Sequence, residues 1–178
     1  MPPPQAMLAF ITRRDHLLMR RVHHWSAPRW VRLWMIAATR SGDGWLWYAL
    51  AVAVWLFGGS QASRAIWAAT IAASVGVAGF LVLKRATGRR RPCHLERHCW
   101  STLLPPDQFS FPSGHTITAF AITIPLGLYY PNLSVGLGFI ALSIAASRIL
   151  LGMHFLSDVV AGAILGAALG FGSFALLG

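Results

Sequence analysis

Long uncharged stretches alternate with short charged clusters along most of this chain. A transmembrane helix needs roughly 20 consecutive, mostly apolar residues. Five uncharged stretches come close to that length: Trp45 to Gly59, Ala65 to Leu83, Thr116 to Tyr130, Leu133 to Ser147 and Val159 to Leu177. The pattern therefore predicts five membrane helices.

The first 44 residues have a different pattern. Trp25, Trp30 and Trp34 fall near helical spacing, but several arginines interrupt any spanning run. This combination favours an amphipathic helix in the membrane interface. A tilted sixth span from about His23 to Thr39 is the alternative, if the arginine side chains extend to the interface.

These patterns divide the chain into a basic N-terminal segment, residues 1–44, which is interfacial or a first span, and a membrane-embedded domain, residues 45–178. The predicted fold class is all-α: an integral membrane helical bundle of five or six transmembrane helices with an N-terminal amphipathic segment. In the last predicted helix, Gly162, Gly166 and Gly170 recur at every fourth position. That spacing places small residues on one helix face and predicts close packing against a neighbouring helix.

The composition also indicates a membrane protein. Of 178 residues, 56% are hydrophobic and only 11% are charged, which would leave a soluble monomer with too much apolar surface in water. Lys and Arg outnumber Asp and Glu by 15 to 5, for a formal net charge of +10. In a soluble protein this excess would suggest nucleic acid. Here it indicates anionic headgroups or a phosphate substrate, and we expect no nucleic-acid partner.

Polar and charged residues are concentrated where the predicted helices end. One group runs from Lys84 to Arg91-Pro92, a second is Pro112-Ser113-Gly114-His115, and a third comprises Ser147-Arg148, His154 and Asp158. Polar groups are costly at membrane depth. Their repeated appearance at helix ends therefore predicts a single pocket that the bundle assembles from all three groups.

The residue types in these groups suit a phosphoryl group. Lys84, Arg91 and Arg148 provide three cations that can bind phosphate oxygens. Ser113 and Gly114 add a hydroxyl group and backbone N–H groups at the predicted start of a helix, where unsatisfied donors and the helix dipole favour an anion. We therefore predict that the pocket binds phosphate.

Two histidines supply the groups that acid–base and nucleophilic chemistry needs. His154 precedes Asp158 by four residues, which is one turn if a helix continues through both. A carboxylate bonded to one ring nitrogen would set the tautomer and leave the other nitrogen as a nucleophile. His115 has no acidic residue within four positions. Beside an arginine-bound phosphate it should become protonated, as a general acid must be.

Taken together, these residues resemble the signature of a known family. Lys84 with Arg91-Pro92, Pro112-Ser113-Gly114-His115, and Ser147-Arg148 with His154 and Asp158 match the three-part pattern of the type 2 phosphatidic acid phosphatase superfamily. The resemblance covers about residues 45 to 178. It implies a metal-independent phosphatase without a cofactor, in which His154 is the nucleophile of a phosphohistidine intermediate, Asp158 orients it and His115 is the general acid. It also implies a phosphate-binding set of Lys84, Arg91, Ser113, Gly114, His115 and Arg148.

The predicted function is an integral membrane lipid phosphatase that hydrolyses a phosphomonoester or pyrophosphate of a lipid. Candidate substrates are phosphatidate, phosphatidylglycerophosphate, undecaprenyl pyrophosphate and a lipid A-type molecule, because a pocket at helix ends could bind the phosphate while the tail stays in the bilayer. The expected partners are this substrate and the membrane lipids. One alternative is a non-catalytic phospholipid-binding or transport protein, and another is a haloperoxidase-like use of the pocket with vanadate.

The segment after Arg91 offers two cysteines and two histidines: Cys93, His94, His98 and Cys99. We predict no metal site there, because adjacent ligands do not match the separated pairs of usual zinc sites. A disulfide between Cys93 and Cys99, which requires an oxidising compartment, and two free thiols both remain open.

The side of the membrane on which the pocket opens depends on conflicting cues. A disulfide and the usual arrangement of the family place the active site at the periplasmic face of a bacterial inner membrane. Five spans with a basic N-terminus inside would place it at the cytoplasmic face. We predict the periplasmic face.

Overall fold

The computed structural model describes residues 4–95 and 108–178, and every structural statement below concerns these residues. Within these two ranges the chain forms helices and no strands, which confirms the all-α prediction. The helices are α1 (Pro4–His24), α2 (Arg29–Ser41), α3 (Trp45–Phe57), α4 (Ala62–Thr87), the short α5 (Pro92–Leu95), α6 (Gly114–Tyr129), α7 (Ser134–Leu150) and α8 (Leu156–Leu177).

Several of these helices are suited to the interior of a membrane. In the described part of the chain, three segments are long and apolar enough to cross it: Gly59–Thr87, Pro131–Leu150 and Leu156–Leu177. The first two each include the 3₁₀ turn before the α-helix. Trp45–Phe57 is a shorter apolar helix. Each of the five stretches predicted as spans is helical over most of its length. The protein is an integral membrane helical bundle, as the hydropathy pattern predicts.

The N-terminal segment consists of two helices instead of one. α1 ends at His24 and α2 begins at Arg29, directly after Pro28. A proline has no N–H to donate and disfavours helical geometry in the residue before it. No single helix therefore runs from His23 to Thr39, and the number of spans, five or six, stays a prediction. α2 buries Val31 and Met35 in a cluster with the loop between α7 and α8.

α6 is the central helix of the bundle, and α4, α7 and α8 pack around it. α4 contributes a buried stripe of alanines, comprising Ala65, Ala68, Ala69 and Ala72. Small side chains let neighbouring helices approach closely, as is typical of packing in lipid. Large apolar side chains such as Trp55, Val135 and Leu176 are exposed on the outer surface. This distribution is expected where lipid covers the outside of the bundle.

α8 packs closely on α6 through the predicted glycine stripe, in which Gly162, Gly166 and Gly170 are all buried. A Cβ atom at Gly162 would lie 2.9 Å from the carbonyl oxygen of Ser113, and one at Gly170 would lie 2.9 Å from Cβ of Ile124. Both separations are shorter than a van der Waals contact between such atoms. Glycine is therefore required for this approach, and the predicted role of the stripe in packing is confirmed.

One end of the bundle collects the ends of several helices. α4 ends at Thr87, where Gly88 takes a left-handed conformation with a φ of 57°, a common way to end a helix. α6 begins at Gly114, α7 ends at Leu150 and α8 begins at Leu156. The turn between α2 and α3, residues 42–44, contacts the same end. The residues predicted to act on phosphate belong to these helix ends.

Candidate active site

A cavity of about 350 Å³ opens at this end of the bundle, and we call it the polar cavity. Its wall contains Gly42, Asp43, Gly44, Trp47, Phe80, Lys84, Arg91, Gly114, His115, Thr118, Arg148 and His154. All three polar segments of the sequence thus contribute to one cavity. The structure brings together the two histidines and the three cations that were predicted to bind and transfer phosphate.

His154 is 2% exposed and is bonded through both ring nitrogens. Nδ1 lies 2.6 Å from the carbonyl oxygen of Ser110, and Nε2 lies 2.9 Å from Nη1 of Arg91. A carbonyl oxygen only accepts and a guanidinium only donates, so Nδ1 carries the proton and Nε2 the lone pair. Burial, followed by the charges of Arg148 and Arg91, lowers the pKa of His154 well below its usual value of 6.5. The ring is therefore neutral near pH 7, as a nucleophile must be.

The contact between His154 and Asp158 is not the predicted hydrogen bond. Oδ2 of Asp158 lies 3.8 Å from Nδ1 of His154. α8 begins only at Leu156, so the condition for that contact, one helix through both residues, is not met. The carboxylate instead caps α8: Oδ2 accepts from the backbone N–H of Phe155 at 2.8 Å, and Oδ1 accepts from Nη1 of Arg89 at 2.7 Å. Asp158 therefore places a fixed negative charge beside a ring that the Ser110 carbonyl orients.

The three predicted cations reach the polar cavity from different elements. Arg91 follows α4 and is 2% exposed. Arg148 lies in the last turn of α7, is 4% exposed, and donates from Nη1 to Oγ1 of Thr39 at 2.5 Å. Lys84 lies in the last turn of α4, with Nζ 5.2 Å from the centroid of the Phe80 ring. Three positive charges around one cavity favour an anionic ligand.

Ser113 and Gly114 have different places at the start of α6. Ser113 is fully buried; its backbone N–H donates to the carbonyl oxygen of Asp158 at 3.1 Å, and its Oγ accepts from Oγ1 of Thr116 at 2.9 Å. It is absent from the described residues that line the polar cavity, whereas Gly114 is present. Gly114 thus lies where the N–H groups and dipole of a helix N-terminus favour an anion, and Ser113 lies behind it.

His115 has an acidic partner that sequence reasoning missed. Its Nε2 lies 2.9 Å from Oδ1 of Asp43, which is 72 residues away in the turn between α2 and α3. The sequence offered no signal for this pair, because the two residues meet only through the packing of the bundle.

Asp15 in α1 is a second acidic residue that sequence reasoning missed. It is 4% exposed, and its Oδ2 accepts from Nη2 of Arg89 at 2.7 Å while its Oδ1 accepts from the backbone N–H of Ser157 at 3.1 Å. The same guanidinium binds Asp158. The N-terminal helix is thus linked to the carboxylate beside His154. The available sequence signal was that Asp15 is the one acidic residue of α1, among several arginines.

An apolar cavity of about 330 Å³ adjoins the polar cavity between α3, α4 and α6. Gly44, Trp47 and Thr118 line both cavities. The remaining wall of the apolar cavity is mostly hydrophobic and includes Ile66 and Ile122. A molecule with a polar group and an apolar chain could therefore occupy both cavities at once.

Within residues 4–95 and 108–178, no three His, Cys, Asp or Glu side chains are grouped as a metal site requires. Cys93 lies in α5, whereas His98 and Cys99 lie outside the described residues. The pairing of the two cysteines and the absence of zinc in this loop therefore stay predictions.

The chain is similar in sequence to a family of known proteins. Residues 64–178 match the model of the family described as PAP2 superfamily. The lipid A 1-phosphatase of Rhizobium johnstonii is 36% identical over 90 residues, which are 48% of this chain and 37% of that protein. The decaprenylphosphoryl-5-phosphoribose phosphatase of Mycobacterium tuberculosis is 35% identical over 131 residues, which are 71% of this chain and 68% of that protein.

A solved structure has the same fold. The crystal structure of Aquifex aeolicus LpxE is similar with a TM-score of 0.76 and 25% sequence identity, over 89% of this chain and 93% of that one. The match to the Rhizobium protein spans only 37% of that protein's length.

Proposed function

The chain belongs to the PAP2 superfamily, and we propose that it is an integral membrane lipid phosphatase. It hydrolyses a phosphomonoester or a pyrophosphate of a lipid, without a metal, through a phosphohistidine intermediate. The observation that carries this proposal is the polar cavity, in which His154, His115 and three cations surround a space at the helix ends. Phosphoryl transfer asks a protein mainly for such positioning and for positive charge around the phosphate oxygens.

In the first step, the Nε2 lone pair of His154 attacks phosphorus. A P–N bond forms while the P–O bond to the lipid breaks, and His115 donates a proton to the departing oxygen. Arg91, Arg148 and Lys84 hold the other phosphate oxygens, with Gly114 at the N-terminus of α6. For this attack, the hydrogen bond between Arg91 and Nε2 of His154 has to break. Arg91 then donates to a phosphate oxygen instead.

In the second step, a water oxygen attacks phosphorus and the P–N bond breaks. His115, now neutral, takes a proton from the water, which releases phosphate and restores both rings. Throughout, the Ser110 carbonyl keeps the Nδ1 proton of His154 in place, while the negative charge of Asp158 stabilises the ring as positive charge develops on it.

The apolar cavity supports a lipid as the substrate. It shares part of its wall with the polar cavity, so a phosphate can bind among the cations while the first part of its chain lies between α3, α4 and α6. The relatives are named for lipid A and for a decaprenyl-linked phosphate. We therefore keep phosphatidate, phosphatidylglycerophosphate, undecaprenyl pyrophosphate and lipid A-type molecules as the substrate panel.

Phosphate release from this panel, measured in detergent with a chelator present, tests the proposal. His154→Ala should reduce release to background. His24→Ala should not, because it alters an exposed histidine at the end of α1 that does not line the polar cavity. Activity that disappears with chelator, or that survives His154→Ala, would contradict the mechanism. Tight lipid binding without turnover would support a binding or transport protein instead, and halide oxidation after addition of vanadate would support a haloperoxidase.

For localisation, we propose a bacterial inner membrane with the polar cavity open to the periplasm, as is usual in the family. The charge distribution favours the opposite orientation, since the cluster from Lys84 to Arg91 lies at the cavity end of α4 and only Arg64 lies near the other end. Exposed Gln108 and Gln61 offer a matched pair of positions at the two ends. In a cysteine-free background, an impermeant maleimide on intact cells should label Gln108→Cys and not Gln61→Cys; the reverse pattern would place the site in the cytoplasm.

A further inference from the structure

Asp43 lies on the wall of the polar cavity, outside the segment that matches the family, which begins at residue 64. Among the described residues of that wall it is the one acidic side chain. A carboxylate repels an anionic ligand, so its place on a phosphate-binding wall needs a specific reason. Its contact is with His115, at 2.9 Å between Oδ1 and Nε2.

The turn that carries Asp43 is shaped around the ring of His115. A Cβ atom at Gly42 would lie 2.8 Å from Cδ2 of His115, so glycine is required for this approach. Gly44 has a φ of 122°, a conformation that other residues rarely adopt. The backbone N–H of Asp43 donates to the carbonyl oxygen of Arg40 at 3.1 Å, and Nη1 of Arg40 donates to Oδ2 at 3.4 Å. Arg40 at the end of α2 therefore binds Oδ2, while Oδ1 bonds to His115.

We infer that Asp43 is a positioning residue for His115, which holds the ring in place and balances the positive charge that the ring carries as a general acid. This inference rests on the proposed function, in which His115 protonates the leaving group. Arg148 and Arg91 line the same cavity, and their charges oppose protonation of His115. The hydrogen bond and the charge of Asp43 favour the protonated ring, and they partly offset the effect of burial and of the two arginines.

The proton balance of the reaction is consistent with this role. His115 keeps its bond to Asp43 through one nitrogen and transfers the proton of the other nitrogen to the lipid oxygen as the P–O bond breaks. The ring is then neutral and still bonded to Asp43. In the second step it accepts a proton from the attacking water as the P–N bond breaks, so that the ion pair is restored.

Two amphiphilic substrates that differ in leaving group test this role on the full chain. The oxygen of dodecyl phosphate departs as an alcohol and needs a proton, whereas a dodecyl-substituted nitrophenyl phosphate releases a stable phenolate. Asp43→Asn keeps the shape of the side chain and removes its charge. It should lower kcat for dodecyl phosphate about 10- to 100-fold and kcat for the nitrophenyl ester less than about threefold.

Arg40→Gln is the matched control, because it removes the other side-chain partner of Asp43 and leaves the bond to His115. It should leave both rates near those of the wild type. In a His115→Gln background, Asp43→Asn should have no further effect on dodecyl phosphate, since Asp43 acts through that ring.

Equal losses on both substrates, or losses that multiply in the double variant, would overturn the inference and leave Asp43 with a structural role only. Wild-type rates for Asp43→Asn on both substrates would overturn it as well, with the phosphatase activity intact. A wild-type protein that hydrolyses neither these substrates nor the lipid panel would instead overturn the proposed function.

Discussion

Replacing Gly166 by alanine would disturb the packing of α8 on α6 at a point of very close contact. The new Cβ atom would overlap the carbonyl oxygen of Ile117 and lie 2.9 Å from Cβ of Phe120. Both obstacles belong to α6, and the first is a backbone atom that no side-chain rotation can move. The two helices would therefore have to separate.

Two effects of opposite sign determine the change in the free energy of unfolding. Alanine favours the helix over glycine by about 1 kcal/mol, and overpacking of a tight contact costs about 1–3 kcal/mol. Gly172 in the same helix is exposed, and no atom lies within 4 Å of its Cβ position, so Gly172→Ala carries only the first effect. Gly166→Ala should therefore be less stable than Gly172→Ala by about 1–3 kcal/mol.

Thermal unfolding of the two variants in the same detergent measures this difference. In a chain of this length 1 kcal/mol corresponds to roughly 2–4 °C, so we expect the Tm of Gly166→Ala to be lower by about 2–12 °C. Phosphatase activity below both transitions should also fall for Gly166→Ala, because His115 lies in the first turn of the helix that is displaced. Equal Tm values for the two variants would refute the argument that the glycine stripe sets the distance between these helices.

Three other changes have defined outcomes. Arg91→Lys keeps the charge but loses the planar fork, so kcat/KM for a lipid phosphate should fall about 10- to 100-fold; an unchanged value would exclude bidentate binding. Asp15→Asn removes one of the two carboxylates on Arg89 and should lower the free energy of unfolding by about 1–2 kcal/mol, measured as a lower Tm. Burial and Arg148 keep the pKa of His154 well below 6.5, so the neutral nucleophile persists as the pH falls through that value. Rapid-quench rates of phosphohistidine formation should then show no loss centred near pH 6.5, and a loss centred there would contradict the assignment.

Much of the fold could be predicted because hydropathy and small-residue spacing are local properties of the chain. An apolar run forms a helix in lipid wherever it occurs, since its backbone groups must be bonded within the segment. The sequence did not decide between a tilted span and an interfacial helix in the N-terminal segment, because the same tryptophans and arginines suit both. In the structure, Pro28 separates two helices, and Val31 and Met35 of the second helix pack against the loop between α7 and α8.

The contacts within the site were harder to predict than the set of residues that form it. The three polar segments could be joined in one pocket because each lies at a helix end, where charged groups are least costly. The partner of His154 could not be deduced in the same way. A spacing of four residues indicates a contact only inside a helix, and α8 begins after His154, so the bond goes to Ser110, 44 residues away.

The sequence by itself thus determined an all-helical membrane protein with cations and histidines at the helix ends, because those properties depend on residue type and local spacing. Only the tertiary structure decided that Asp43 bonds to His115 and that Asp15 and Asp158 share Arg89. These pairs are 72, 74 and 69 residues apart. They form because the packing of the helices brings residues from distant parts of the chain together at one end of the bundle.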